Sequence, residues 1–170
     1  MKEWQNEPHI LPIGKGRKLR KGKDIALLSI GAIGNNAARA IDEAEKSGIS
    51  VAHYDMVFLK PIDEELLHKV AQKFKYIITV ENGVIKGGLG SAVLEFLAEN
   101  DYTDVHLLRI GIPDEFVTHG SVDELQQIAG IDEKGILEHI TNMYKETEGI
   151  HAQLQPPHNR IETVVQIHNR

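Results

Sequence analysis

Apolar and polar positions along this chain keep two rhythms, and the rhythm switches repeatedly from strand-like to helix-like. Asp24-Ile25-Ala26-Leu27-Leu28-Ser29-Ile30 is a near-continuous apolar run, as in a strand covered on both faces. Gly31-Ala32-Ile33-Gly34 turns the chain. The spacing of Ala37, Ala38, Ile41 and Ala44 then predicts a helix over about 36–47, capped by Asn35 or Asn36 and stopped at Ser47-Gly48. Ser50 to Asp55 reads as the next strand. Asp63 follows as an N-cap, with Glu64 and Glu65 in the first turn and Leu66, Leu67, Val70, Ala71 and Phe74 as an apolar stripe. Lys69, Lys73 and Lys75 lie toward its far end, and acid first with base last suits the helix dipole.

Tyr76-Ile77-Ile78-Thr79-Val80 is β-branched and apolar, and predicts a short buried strand. Glu81 and Asn82 stand at its end. A glycine turn follows, Gly83 and then Gly87-Gly88-Leu89-Gly90. It feeds a helix with Leu89, Ala92, Val93, Phe96 and Leu97 on one face and Glu95 and Glu99 on the other. Val105 to Ile110 is another strand. Ser121-Val122-Asp123-Glu124 has capping-box spacing and starts a helix with Leu125, Ile128 and Ala129, ended by Gly130. Asp132 starts a last helix with Ile136, Leu137, Ile140 and Met143. Ile10-Leu11-Pro12-Ile13 contains a proline, so it is at most an edge strand.

Strand and helix alternate with connections too long for hairpins. That order implies right-handed crossovers and a mostly parallel sheet with helices on both faces, an α/β fold of four parallel strands plus an edge strand near residue 10. Residues 1–9 are polar and read as a linker, and 10–145 as the domain. From about Glu146 the chain changes character, so 146–170 is expected to be a flexible tail. Within it Gln155 to Asn159 is a loop signal and Thr163 to Ile167 a candidate edge strand.

Composition narrows the function. The 170 residues suffice for one domain with a real core. A net charge of −6 argues against nucleic acid, which needs a clustered basic surface. The basic cluster Lys15 to Lys23 reads as an exposed hairpin or linker. The absence of cysteine excludes disulfides, thiolate catalysis and cysteine-ligated metals, and fits a reducing cytosol. No apolar run is long enough to span a membrane, and MKEWQNEPH has no secretory core; a cytoplasmic location is expected.

In open α/β sheets functional groups gather at the carboxyl ends of the strands. The glycine turn before Leu89 is therefore a candidate anion cradle. Yet Gly87-Gly88-Leu89-Gly90 is neither G-x-G-x-x-G nor part of a P-loop, and tight turns with close helix packing explain these glycines more simply. The histidines lack metal-site spacing; His68 and His139 read as exposed helix positions, and no metal site is expected. There is no G-x-S-x-G elbow, and Ser91 reads as a helix cap. Glu81 can act as an acid or base, bind a partner's amides, or hold its own loop; the last is the plainest reading. The connection Ile110 to Gly120 is long. In it Phe116 is a candidate anchor into a groove, and His119, just before a helix start, is either a general base or part of an interface loop.

Four motifs in order resemble the C-terminal domain of 1-deoxy-D-xylulose-5-phosphate synthases. They are Pro12-x-Gly14-x-Gly16-Arg17, Phe58-x-Lys60-Pro61-x-Asp63, Val80-Glu81-Asn82-Gly83 with Gly87-Gly88-x-Gly90-Ser91, and Ile112-Pro113-Asp114-x-Phe116-x-x-His119-Gly120. The match covers about residues 10–141. The glutamate–glycine turn is shared with transketolases and 2-oxo acid dehydrogenase beta subunits; the P-D-x-F-x-x-H-G segment favours the synthase. The resemblance implies a three-layer α/β/α transketolase C-terminal fold, a mixed five-stranded sheet with the first strand antiparallel at an edge.

It also implies a parent that uses thiamine diphosphate and Mg²⁺ to decarboxylate pyruvate and join the two-carbon unit to glyceraldehyde 3-phosphate. Two further family domains bind that cofactor, and this chain carries no G-D-G…N motif. The resemblance therefore implies no catalytic residue, cofactor or metal for this chain alone. Its partners would be the missing cofactor-binding domains and a second copy in a homodimer. Glu81, Asn82, Gly87, Gly88, Gly90, Pro113, Asp114, Phe116 and His119 are the candidate contacts. The alternatives are the same domain from a transketolase or a 2-oxo acid dehydrogenase beta subunit, or a free-standing regulatory module binding an anion at Gly87–Gly90.

Overall fold

The computed structural model describes residues 10–116 and 119–154, with side chains as far as 147. Five strands make one sheet: β1 (Arg17–Arg20), β2 (Ile25–Ile30), β3 (Val51–Asp55), β4 (Tyr76–Val84) and β5 (His106–Ile112). Their order is β1-β3-β2-β4-β5. β1 runs antiparallel to β3. The other pairings are parallel. The helices are α1 (Gly34–Lys46), α2 (Glu64–Lys73), α3 (Leu89–Glu99), α4 (Val122–Ile128) and α5 (Glu133–Leu154).

Two apolar layers follow from the pleat of β2 and its neighbours, whose successive side chains face opposite ways. Ile25, Leu27, Ile78 and Val80 pack with Ala37, Ile41 and Ala44 of α1 and Ile136, Ile140 and Met143 of α5. Ala26, Leu28, Ala52 and Ile77 pack with Leu67, Val70 and Phe74 and with Leu89, Val93 and Phe96 on the other side. Small residues on α1 let it lie close to both the sheet and α5.

Several expectations need correction. The antiparallel edge strand is Arg17–Arg20, inside the basic cluster, and not Ile10–Ile13, where Ile10 and Ile13 are exposed. An edge strand needs no apolar alternation when its side chains find local partners. Here Arg17 pairs with Asp55 at 2.9 Å, Arg20 pairs with Asp42 and Glu45, and the Lys18 ammonium lies 5.5 Å from the centre of the Tyr54 ring. Neither Asn35 nor Asn36 caps α1, because a 3₁₀ turn over Gly31–Ile33 runs straight into it. Asn36 instead donates to Gln126 Oε1 and the Ile131 carbonyl, at 2.9 and 3.2 Å, and so ties α4 and the start of α5 to α1. His68 and His139 are half-buried rather than exposed. The His68 ring meets Phe96 edge-on at 4.8 Å, and its Nδ1 lies 2.8 Å from the Tyr102 hydroxyl. α5 spans Glu133–Leu154. The linker at 1–9 and the candidate strand Thr163 to Ile167 lie outside the described residues.

Asp63 is the expected N-cap and does more. One oxygen accepts from Leu66 N at 3.0 Å, the other from Gly16 N at 2.9 Å, and the side chain is buried. It therefore joins the start of α2 to the segment leading into β1. Asp63→Ala removes a cap and a second bond, and is expected to cost about 2–3 kcal/mol by urea denaturation. Glu65→Ala, two residues on and exposed, is expected to leave the urea midpoint nearly unchanged. Its carboxyl is held down to about 2 by hydrogen bonds from Lys69 and Lys15, but such surface pairs add little to stability.

Candidate functional site

The carboxyl end of β4 organises the site. The strand runs on through Gly83 to Val84, past the end expected near Val80, because Val84 pairs with Ile112 at the end of β5. Glu81 lies inside this extension and is buried. Its two carboxylate oxygens accept from Leu89 N and Gly90 N, both at 2.9 Å. Those amides open α3, where free N–H groups and the positive end of the helix dipole favour an anion. Glu81 is that anion, supplied by the chain itself.

The glycines fit around this carboxylate. Gly87 turns the chain with φ +77°, and a Cβ on Gly88 would sit 1.8 Å from Glu81 Oε2. Gly88 has φ −91°, so the constraint at 88 is space and not backbone angle. At Gly90 a Cβ would come within 2.7 Å of the Arg109 stem. Ser91 is not the cap. Its hydroxyl accepts from Gly87 N at 2.9 Å and donates to the Ile85 carbonyl at 3.2 Å, closing the turn from within the helix. Arg109 of β5 also donates to Ser91 Oγ, at 3.2 Å. Arg109 escaped the sequence reading because nothing in an apolar run marks one arginine as structural.

The remaining candidates lie at the ends of β4 and β5 and in the segment that leads to α4. Asn82 is exposed beside Glu81. Lys86 pairs with Asp114 at 2.9 Å, joining the ends of β4 and β5. Val84, Pro113, Asp114, Glu115 and Phe116 line an open hollow of about 250 Å³. Phe116 does not anchor into a groove of its own chain; it is fully exposed. His119 is exposed two residues before Ser121. Ser121 and Glu124 form the expected capping box, with Glu124 N donating to Ser121 Oγ and Ser121 N to Glu124 Oε2. A second hollow, about 190 Å³, lies beneath α4 between Asn82, Ile112, Leu125, Ala129 and Ile131. The chain enters the fold at this same end. Gly16 is tied to Asp63, and Arg17 pairs with Asp55, the last residue of β3.

Chemistry is sparse. Ser29 Oγ and His53 Nε2 are 2.9 Å apart, which looks like a nucleophile–base pair, but both residues are buried in the sheet. Burial pushes the imidazole down to about 4; nearby Asp55 opposes the shift and Arg20 adds to it. A pair that no substrate can reach satisfies its own polar atoms and holds β2 to β3. Among the described residues, no three metal-ligating side chains cluster. Among the same residues, no helix is long and apolar enough to cross a membrane.

Comparison with known proteins matches this fold and turn to one family. The family described as Transketolase, C-terminal domain matches residues 14–136. The chain is 61% identical over 136 residues to the 1-deoxy-D-xylulose-5-phosphate synthase of Parabacteroides distasonis, covering 80% of this chain and 21% of the relative. It is 55% identical over 140 residues to that of Bacteroides fragilis, covering 82% and 22%. It thus spans about a fifth of the length of these relatives. Among solved structures, the inactive beta4 tetramer of a split-gene transketolase superposes with a TM-score of 0.73 at 30% identity, over 79% of this chain and 44% of that one. A Pichia stipitis transketolase variant superposes with a TM-score of 0.60 at 19% identity, over 80% and 19%, and this likeness is one of fold alone. With the mixed sheet, the antiparallel edge strand and the glutamate-filled glycine turn in place, the chain belongs to the transketolase C-terminal domain family.

Proposed function

We propose that this chain is the C-terminal domain of a 1-deoxy-D-xylulose-5-phosphate synthase and acts by docking, not by catalysis. In the whole protein, pyruvate loses carbon dioxide and its remaining two-carbon unit forms a bond to glyceraldehyde 3-phosphate. Thiamine diphosphate with Mg²⁺ supplies that chemistry from the other domains. This domain supports the packing of those domains and of a homodimer, in the cytoplasm. Glu81, Gly87, Gly88 and Gly90 shape the docking surface from below. Asn82, Pro113, Asp114, Phe116 and His119 make its contacts.

One observation carries the reading. At the end of the sheet where a ligand would bind, the leading α3 amides are spent on Glu81, while Val84, Phe116 and Val122 face outward. The α3 start therefore does not fit a diphosphate, and no step is assigned to this chain. The same fact weighs against a free-standing anion-binding module. Transketolases and 2-oxo acid dehydrogenase beta subunits remain the alternative parents, since the fold is shared, and the identity to synthases favours the first reading.

The test is an acceptor panel on the full-length protein with pyruvate and thiamine diphosphate. Glyceraldehyde 3-phosphate is expected to yield a five-carbon ketose phosphate at a rate at least tenfold above that with a longer sugar phosphate or a lipoyl acceptor. A preference for either of the others would move the domain to an alternative parent.

A further inference from the structure

α4 is an unfinished element. No residue of it is buried, and Val122 and Ile128 are 66% and 69% exposed. A seven-residue helix has little stability of its own and normally depends on burying an apolar face. Here the face toward the sheet, through Leu125, closes only part of the way over the hollow of about 190 Å³ lined by Asn82, Ile112, Leu125, Ala129 and Ile131. A cavity of about 150 Å³ is enough to hold a benzene ring. The hollow is mostly apolar, with the polar side chains of Asn82 and Gln126 at its lining, a composition suited to an apolar anchor that arrives with a polar backbone.

The occupant follows from where the rest of the protein must lie. The synthases that match this chain extend over about four-fifths more of their length than it covers. The family match is to a C-terminal domain, so most of that length precedes it. The chain enters the fold beside Asp55 and Asp63, at the same end of the sheet as the hollow. Exposed Val84 and Phe116 line the neighbouring hollow at the ends of β4 and β5, and exposed Val122 lies on the rim of this one. We propose that the hollow beneath α4 receives one large apolar side chain from the domains that precede residue 10 in the full-length protein, and that α4 is held down by it. This rests on the proposed function above and adds the place and chemistry of the contact.

Hydrogen-exchange mass spectrometry on the full-length protein and on the 170-residue chain tests it. Amides 122–131 are expected to exchange at least tenfold more slowly in the full-length protein, and Val122→Asp is expected to erase most of that protection. Val122 is exposed, so the isolated Val122→Asp chain should keep its melting temperature. Leu94→Ala, on the outer face of α3, should change neither readout. Unchanged exchange at 122–131, with new protection only around Val84 and Phe116, would overturn the hollow while leaving docking in place. No new protection anywhere would sink both. Protection of 122–131 in the isolated chain that grows with its concentration would identify a second copy as the occupant and overturn the proposal.

Discussion

Glu81→Ala is expected to destabilise the domain by about 3–5 kcal/mol. Two buried amides, Leu89 N and Gly90 N, lose their acceptor together. Each buried donor left without a partner costs about 1–3 kcal/mol, and the negative charge at the helix start is lost as well. Glu81→Gln keeps one oxygen and should cost roughly half as much. Gly88→Ala should approach the Glu81→Ala cost, because its methyl would occupy the place of Glu81 Oε2. The two changes act on one contact, so the double variant should be only slightly worse than Glu81→Ala, with a coupling nearly as large as the Gly88→Ala cost itself, about 3–4 kcal/mol. Urea midpoints of the four proteins decide the matter. Simple additivity would mean that Gly88 answers to something other than the Glu81 carboxylate.

Acid is expected to weaken the fold through His53. Its imidazole is held down to about 4 by burial, whereas in the unfolded chain it titrates near 6.5. Between those values the unfolded chain takes up a proton that the folded chain refuses. Stability from this group is therefore fully present above about pH 6.5 and is lost as the pH falls toward 4. The drop is about 3 kcal/mol, at 1.36 kcal/mol for each pH unit of difference. Denaturation at pH 7.5, 5.5 and 4.5 measures it. His53→Gln keeps a polar partner for Ser29 and should remove most of the slope in that window. An unchanged slope in the variant would assign the acid sensitivity to other groups.

The layers were legible in the sequence because the signals were redundant. The run Ile25–Ile30, the stripe of Ala37, Ile41 and Ala44, and the capping residues Asp63 and Ser121 each give the same answer by two routes, pattern and chemistry. The edge strand was misplaced because Arg17–Arg20 is stabilised by ion pairs with Asp55, Asp42 and Glu45, partners that only the fold brings near. His68 looked exposed for a similar reason: its partners Phe96 and Tyr102 belong to α3 and the loop after it. At the site, the glycines and Glu81 were visible, and so was the plainer reading of Glu81. Periodicity could not show that the carboxylate reaches across to the α3 amides, or that Ser91 closes the turn instead of capping the helix. Phe116 was singled out by composition, but its full exposure needed the structure.

The proposed role is docking through this surface, with the chemistry in the other domains of the full-length protein. The most direct test is the release of carbon dioxide from pyruvate, with glyceraldehyde 3-phosphate, thiamine diphosphate and Mg²⁺, by this chain alone and by the full-length protein. The full-length protein is expected to turn over and the chain alone to match the buffer blank. Turnover by the chain alone would place catalytic groups inside it and contradict the account.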